Sequence, residues 1–392
     1  MSRVTPPVRP TALPGYDDWP AYVQGNPRFV ARGPAAQELA DALGVPGLAP
    51  DADTAIHWEE TYDGVTTSQL SWQLGFGPRT TGWLVRPAGS SGPLPGVLAL
   101  HCHGGNKFGG ADRLVEIPQH QQPHPSADAA RASLYDGHAL ATDMARRGFA
   151  VLAHDTFAWG SRRFDLSVPP WRTASALEAR RAQWRQDGVV PSDAELYNAA
   201  AGFHEDTVAK AAGLLGTSLA GMVAHDDLAA LDILASLPGV DAERLGCIGF
   251  SGGGGRSLAL AALSPRIRNY VVTCMMATFE SLLPAYLDAH SWLLQTPGLW
   301  KLGDWPELTA RSSAHGFLVQ YALADELFPE AGMREAHGIL DSLHPAGTYS
   351  GSFWPGGHVF TAEMQNEAIS YLSGALGAGS PAVHDFSARS AL

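Results

Sequence analysis

The 392-residue chain predicts an α/β architecture, a mostly parallel sheet covered by helices on both faces. Three observations carry this. From residue 96 onward, short apolar runs alternate with longer runs of helical period. Two of the short runs, 96–102 and 149–154, are apolar almost throughout, as parallel strands buried on both faces require. A serine between glycines, Gly249-Phe250-Ser251-Gly252-Gly253, links one apolar run to one helical run, the pattern of a sharp strand-to-helix turn.

The elements follow in order. Residues 1–65 read as an N-terminal extension punctuated by proline and glycine, with one helix at 35–43. Strands at 68–74 and 80–86 flank the turn 75–79 and make an antiparallel hairpin. Strands at 96–102, 149–154, 245–250, 270–275, 317–322 and 349–354 come next. Helices at 135–147, 219–237, 252–263 and 330–343 separate them, and a last helix at 359–376 follows the final strand. Residues 66–376 thus form the α/β domain.

Insertions at 104–133, 157–216 and 279–313 exceed simple connections, and 157–216 carries helices at 175–186 and 193–210. Excursions of this length serve as functional loops, lids or oligomer contacts, so a homo-oligomer stays open. Residues 377–392 read as an irregular tail.

Bulk properties exclude several classes. A formal net charge of −13 disfavours nucleic acid and anionic membrane, which both need a basic surface. No apolar run approaches the roughly 20 residues that span a bilayer. The proline-rich start has no apolar core and reads as neither signal nor anchor. Lys107, Lys210 and Lys301 are the only lysines. Cys102, Cys247 and Cys274 lie in apolar runs without a disulfide pattern and are expected as buried free thiols. Together these features predict a soluble cytoplasmic protein.

Ser251 at such a turn can attack a carbonyl if a histidine removes its proton. The base and its orienting acid belong on loops after later strands. The strand at 317–322 runs into Asp325-Glu326, and the strand at 349–354 runs into Gly356-Gly357-His358. Ser251, Asp325 and His358 are therefore the predicted nucleophile, acid and base, with Glu326 as the alternative acid. The oxyanion donors are expected from the Gly252 N–H and from the loop His101-Cys102-His103-Gly104-Gly105-Asn106, with His103 preferred and Gly104 the alternative. Phe157 and Trp159, just past a strand, are predicted near the substrate. Trp292, Trp300 and Trp305 are predicted as an aromatic wall or cap. Arginines 162, 163, 172, 180, 181 and 185 either select an acidic substrate or sit on a solvated helix.

These residues resemble the α/β-hydrolase superfamily, most closely its dienelactone hydrolase and acetyl xylan esterase-like branch. The motifs are Asp226-Asp227-Leu228 through Ser251-Gly252-Gly253, His101-Cys102-His103-Gly104-Gly105, His154-Asp155 with Gly160-Ser161, Ala324-Asp325 with Phe328-Pro329, and Gly357-His358-Val359-Phe360. The resemblance covers roughly residues 66–376. It implies an eight-stranded core with an antiparallel second strand, and cofactor-free hydrolysis of small-molecule carboxylic esters through an acyl-enzyme. A serine stands where true dienelactone hydrolases carry cysteine, and His101-Cys102-His103 departs from the common His-Gly pair.

The same machinery could cleave amide, peptide or carbon–carbon bonds, the main alternative. A remoter one is a metal-dependent hydrolase using His101, His103, His120, His124, His138 and His154, but no carboxylate completes a ligand motif and no metal is expected. The glycine run 249–255 is no dinucleotide fingerprint, because Val271 to Cys274 supplies no acid for a ribose.

Overall fold

The computed structural model describes residues 14–25, 34–48, 52–121, 124–283 and 285–378. The proline-rich start up to residue 13 and the expected tail beyond 378 lie outside them. Among the described residues one sheet holds nine strands: β1 (Ala55–Tyr62), β2 (Val65–Trp72), β3 (Thr80–Pro87), β4 (Leu94–Leu100), β5 (Ala150–His154), β6 (Val240–Phe250), β7 (Ile267–Thr273), β8 (Gly316–Ala322) and β9 (Tyr349–Trp354). The spatial order is β1-β2-β3-β5-β4-β6-β7-β8-β9. β1, β2 and β3 form an antiparallel meander, β3 pairs antiparallel with β5, and all later pairs are parallel.

The sheet therefore has nine strands rather than eight. The additional strand, β1, lies inside the stretch read as an extension. It covers an edge, and its residues are mostly exposed, Ile56 and Tyr62 among them. An edge strand wet on both faces needs no apolar alternation, so its sequence carries no strand signal.

Alternation along the central strands sends side chains to two cores. Leu98 and Leu100 of β4 join one cluster, and Val97 and Ala99 join the other. In β6, Leu245 and Cys247 face the first cluster, Ile248 and Phe250 the second. Burial on both faces explains the unbroken apolar runs. The three cysteines are buried and free.

The expected helix over 135–147 is shorter. Helices run Pro125–Leu134 and Leu140–Arg146. Between them Asp136 and Gly137 take left-handed backbone, φ 54° and 79°, which no helix accommodates. The insertion's second helix, Asp193–Leu215, runs further than expected. Ser192 and Glu195 cap it reciprocally, and Gly216 ends it at φ 75°.

Candidate active site

The catalytic candidates sit where strands end. β6 runs into Ser251, which has φ 55° and ψ −127°. A non-glycine residue held there costs about 1–3 kcal/mol. Main-chain bonds on both sides hold it: the Ser251 N–H donates to Thr273 O (2.8 Å), and the Gly254 N–H donates to Ser251 O (2.7 Å). Glycine is required beside it for close packing. A Cβ on Gly249 would strike the Gly253 main chain, and one on Gly253 would strike the Leu100 carbonyl. The turn thereby holds the hydroxyl out at the rim, before the helix Gly252–Leu263.

Ser251, His358 and Asp325 form one hydrogen-bonded series. His358 Nε2 is 2.8 Å from Ser251 Oγ, and His358 Nδ1 is 2.6 Å from Asp325 Oδ2. An ionised carboxylate only accepts, so Nδ1 carries the proton and Nε2 is free to accept from the serine. The other Asp325 oxygen accepts the Leu327 N–H at 2.8 Å, which leaves the buried acid fixed at both ends. Glu326, the alternative acid, is exposed.

The loop after β4 approaches the elbow closely: a Cβ on Gly252 would lie 3.0 Å from the His103 nitrogen. The His103 main chain thus packs directly against Gly252. Gly104 has φ 60°, and a Cβ added to it would meet Arg113 Nη1 and Cys102 Sγ.

Charged side chains secure this loop. Arg256, on the helix after Ser251, pairs with Asp227 through Nε (3.0 Å) and Nη2 (2.7 Å) and donates Nη1–H to His101 O at 3.0 Å. His154 Nε2 lies 3.1 Å from the same carboxylate. Arg113, fully buried, donates to Asn106 O (2.8 Å), Gly109 O (3.1 Å) and Gly110 O (2.8 Å). Burial, with Arg256 and Arg113 close by, holds His101 well below the usual imidazole range, so it is neutral and donates Nδ1–H to Cys102 O.

Sequence reasoning missed Glu205, from the long insertion helix. It pairs with Lys107 and lies 3.1 Å from His103 Nε2, while its other oxygen accepts the Trp292 N–H at 3.0 Å. Burial alone would raise this carboxyl. Lys107 and His103 outweigh it and hold Glu205 well below the usual carboxylate range. The one available signal was Lys107, one of three lysines, standing immediately after the expected oxyanion loop.

The aromatic candidates separate. Phe157 is not a pocket wall. It is fully buried, with ring centres 4.8 Å from Trp19, 5.1 Å from Tyr16 and 5.6 Å from Phe164. Trp159 is also buried and backs the loop after β4, donating Nε1–H to His103 O at 3.3 Å. Trp305 is buried, donates to Met275 O at 2.9 Å, and with Leu293 and Gly255 lines an apolar cavity of about 30 Å³. Trp292 and Trp300 are partly exposed on the cap, where Trp292 Nε1–H donates to Asp206 (2.8 Å) and Trp300 packs near Phe279. Leu293, next to Trp292, is the cap side chain that reaches Gly252.

The arginines divide similarly. Arg162 is fully buried against Asp226 at 3.1 Å, whereas Arg172, Arg180 and Arg185 are exposed on the helix Trp171–Gln186. The histidines of the metal alternative turn to separate partners: His120 to Glu60, His138 to Asp143, and His124 to the start of the helix Pro125–Leu134. Among the described residues, no three His, Cys, Asp or Glu side chains are grouped to hold a metal ion.

Known proteins are similar in sequence and in fold. The family model for acetyl xylan esterase (AXE1) matches residues 219–284, from the Asp226-Asp227 helix past the elbow. A putative hydrolase of Bacillus subtilis (strain 168), YtaP, is 24% identical over 342 residues, covering 86% of this chain and 97% of that protein. An acetyl xylan esterase from Paenibacillus sp. R4 superposes with a TM-score of 0.51 at 17% identity, covering 94% of this chain and 97% of its own. A putative acetyl xylan esterase from Bacteroides fragilis NCTC 9343 gives 0.58 at 14% identity, covering 86% and 80%. A glucuronoyl esterase from Solibacter usitatus gives 0.54 at 14%, covering 95% and 98%. At these identities the superpositions establish the fold.

Proposed function

We propose that this chain, which has the α/β-hydrolase fold, is a serine hydrolase that cleaves carboxylic esters through Ser251, His358 and Asp325. The observation that carries this reading is the unbroken series from Asp325 through His358 to the Ser251 hydroxyl, at the ends of β8, β9 and β6. The relatives named for ester hydrolysis share the fold, and this favours esters over amides or carbon–carbon bonds.

His358 Nε2 takes the Ser251 proton as Oγ attacks the ester carbonyl. The Gly252 and His103 N–H groups receive the developing oxyanion, and the helix Gly252–Leu263 adds the positive end of its dipole. Collapse of the tetrahedral intermediate expels the alcohol with the proton held on His358. Water, deprotonated by His358, then attacks the acyl-enzyme and releases the acid. Asp325 keeps Nδ1 protonated throughout and stabilises the imidazolium.

The names of the relatives put acetylated carbohydrates first among substrates to try. The reading is tested with Ser251→Ala on p-nitrophenyl acetate. Turnover falls by about 10⁴-fold or more with the thermal midpoint of unfolding kept, and a variant that retained turnover would refute the assignment.

A further inference from the structure

We propose that Glu205 is a positioning residue, through which the long insertion holds the oxyanion loop and the cap in register over Ser251. The inference rests on the serine hydrolase reading above. The helix Asp193–Leu215 lies far from the elbow in sequence, yet it sends one carboxylate to the back of the oxyanion donor.

Three groups converge on that carboxylate, and all three are donors: the Lys107 ammonium, the His103 Nε2–H and the Trp292 main-chain N–H. His103 Nδ1 accepts the Gly105 N–H at 3.1 Å, so the ring proton is on Nε2, facing Glu205. Lys107 stands 4.6 Å from the centre of the Trp159 ring, and Trp159 donates to His103 O. The loop is therefore gripped from both sides of His103, the residue whose main-chain nitrogen lies beside the elbow. Trp292 precedes Leu293, which packs on Gly252. One side chain thus ties insertion, oxyanion loop and cap together.

Only an acceptor-only group serves all three donors. A glutamine has the same shape, but its NH₂ must face one of them, so the arrangement cannot survive with an amide. Glu205 and Lys107 are both buried, so water does not replace the lost bond. Displacement of a catalytic group by about 1 Å costs on the order of 100-fold in rate.

The test compares Glu205→Gln with Lys107→Met/Glu205→Gln, which removes the unpaired ammonium so that the fold is kept. Glu178→Gln, an exposed carboxylate on the same insertion, is the control. Each is assayed on p-nitrophenyl acetate and with an aryl trifluoromethyl ketone, whose serine hemiketal places an oxyanion where the reaction does. We expect kcat to fall about 10- to 100-fold with KM within about threefold, and the ketone Ki to rise by the factor that kcat/KM loses. The control stays at the wild-type value.

Unchanged kcat and Ki in folded variants would overturn the inference. So would a raised KM at constant kcat, or loss of the folded state in both variants, which would make Glu205 purely structural. Failure of the parent reading shows separately: Ser251→Ala would then keep its turnover, whatever Glu205 does.

Discussion

Two segments meet over the Ser251 hydroxyl, and different physics fixes each. The elbow is held by steric contact between neighbours: Gly249 lies on Gly253, and Gly253 lies on Leu100. The oxyanion loop is held by charged side chains, some from far along the chain, with Arg256 and Asp227 behind His101, Arg113 beneath Asn106, and Glu205 and Lys107 behind His103. The first arrangement depends on the absence of side chains, the second on complete ones. The elbow should therefore fail when an atom is added and the loop when a charge is removed.

The sharpest way to break the contrast is Gly253→Ala. In a helix, alanine is favoured over glycine by about 1 kcal/mol, so an uncrowded site would gain stability. Here the added methyl meets the Leu100 carbonyl, which belongs to a central strand and cannot give way. A chain that does not fold, or a large loss in denaturant midpoint, is expected. Stabilisation would show that the elbow is not sterically fixed.

Arg256→Met comes next. It leaves the buried Asp227 facing only His154, and breaking such a pair costs about 3–5 kcal/mol. Urea unfolding measures this, and a change below about 1 kcal/mol would mean that the pair behaves like a surface one.

The acid limb sharpens the loop side. The folded-state pKa of Glu205 lies below its unfolded value of about 4.3. A depressed carboxyl contributes stability above the unfolded value and loses it as pH falls through the folded value. The stability gap between wild type and Glu205→Gln should be constant above about pH 5 and shrink below it. A gap that widened in acid would reverse the sign and remove the charge argument. The smallest effect belongs to Trp300→Ala, on the partly exposed cap, where stability should change by no more than about 0.5 kcal/mol.

The contrast also explains what could be read from sequence. Ser251 and Asp325 each follow a buried, mostly apolar strand, and His358 follows the partly exposed edge strand β9; the ends of the parallel strands carry the rim. Glycine spacing around Ser251 announces a turn directly. Glu205 announces nothing. It is one acid on a long helix, and its meaning comes from Lys107, His103 and Trp292, each roughly 90 residues or more away in the chain. The Asp226-Asp227 pair was legible as a motif, but its partners Arg162, Arg256 and His154 were not. Phe157 misled because an aromatic residue after a strand reads the same in a pocket or in a core. β1 escaped notice because its exposed edge lacks alternation, and the break at Asp136-Gly137 was masked by the apolar residues around it.

The central claim is that an acyl group passes through the Ser251 hydroxyl. Mixing the protein with p-nitrophenyl acetate, quenching in acid within milliseconds and mapping peptides by mass spectrometry tests it most directly. The account predicts one acetyl group on the peptide containing Ser251, at Ser251 itself, and none when His358 is alanine. Turnover with Ser251 unmodified, or an acetyl group accumulating on a different side chain during turnover, would contradict it.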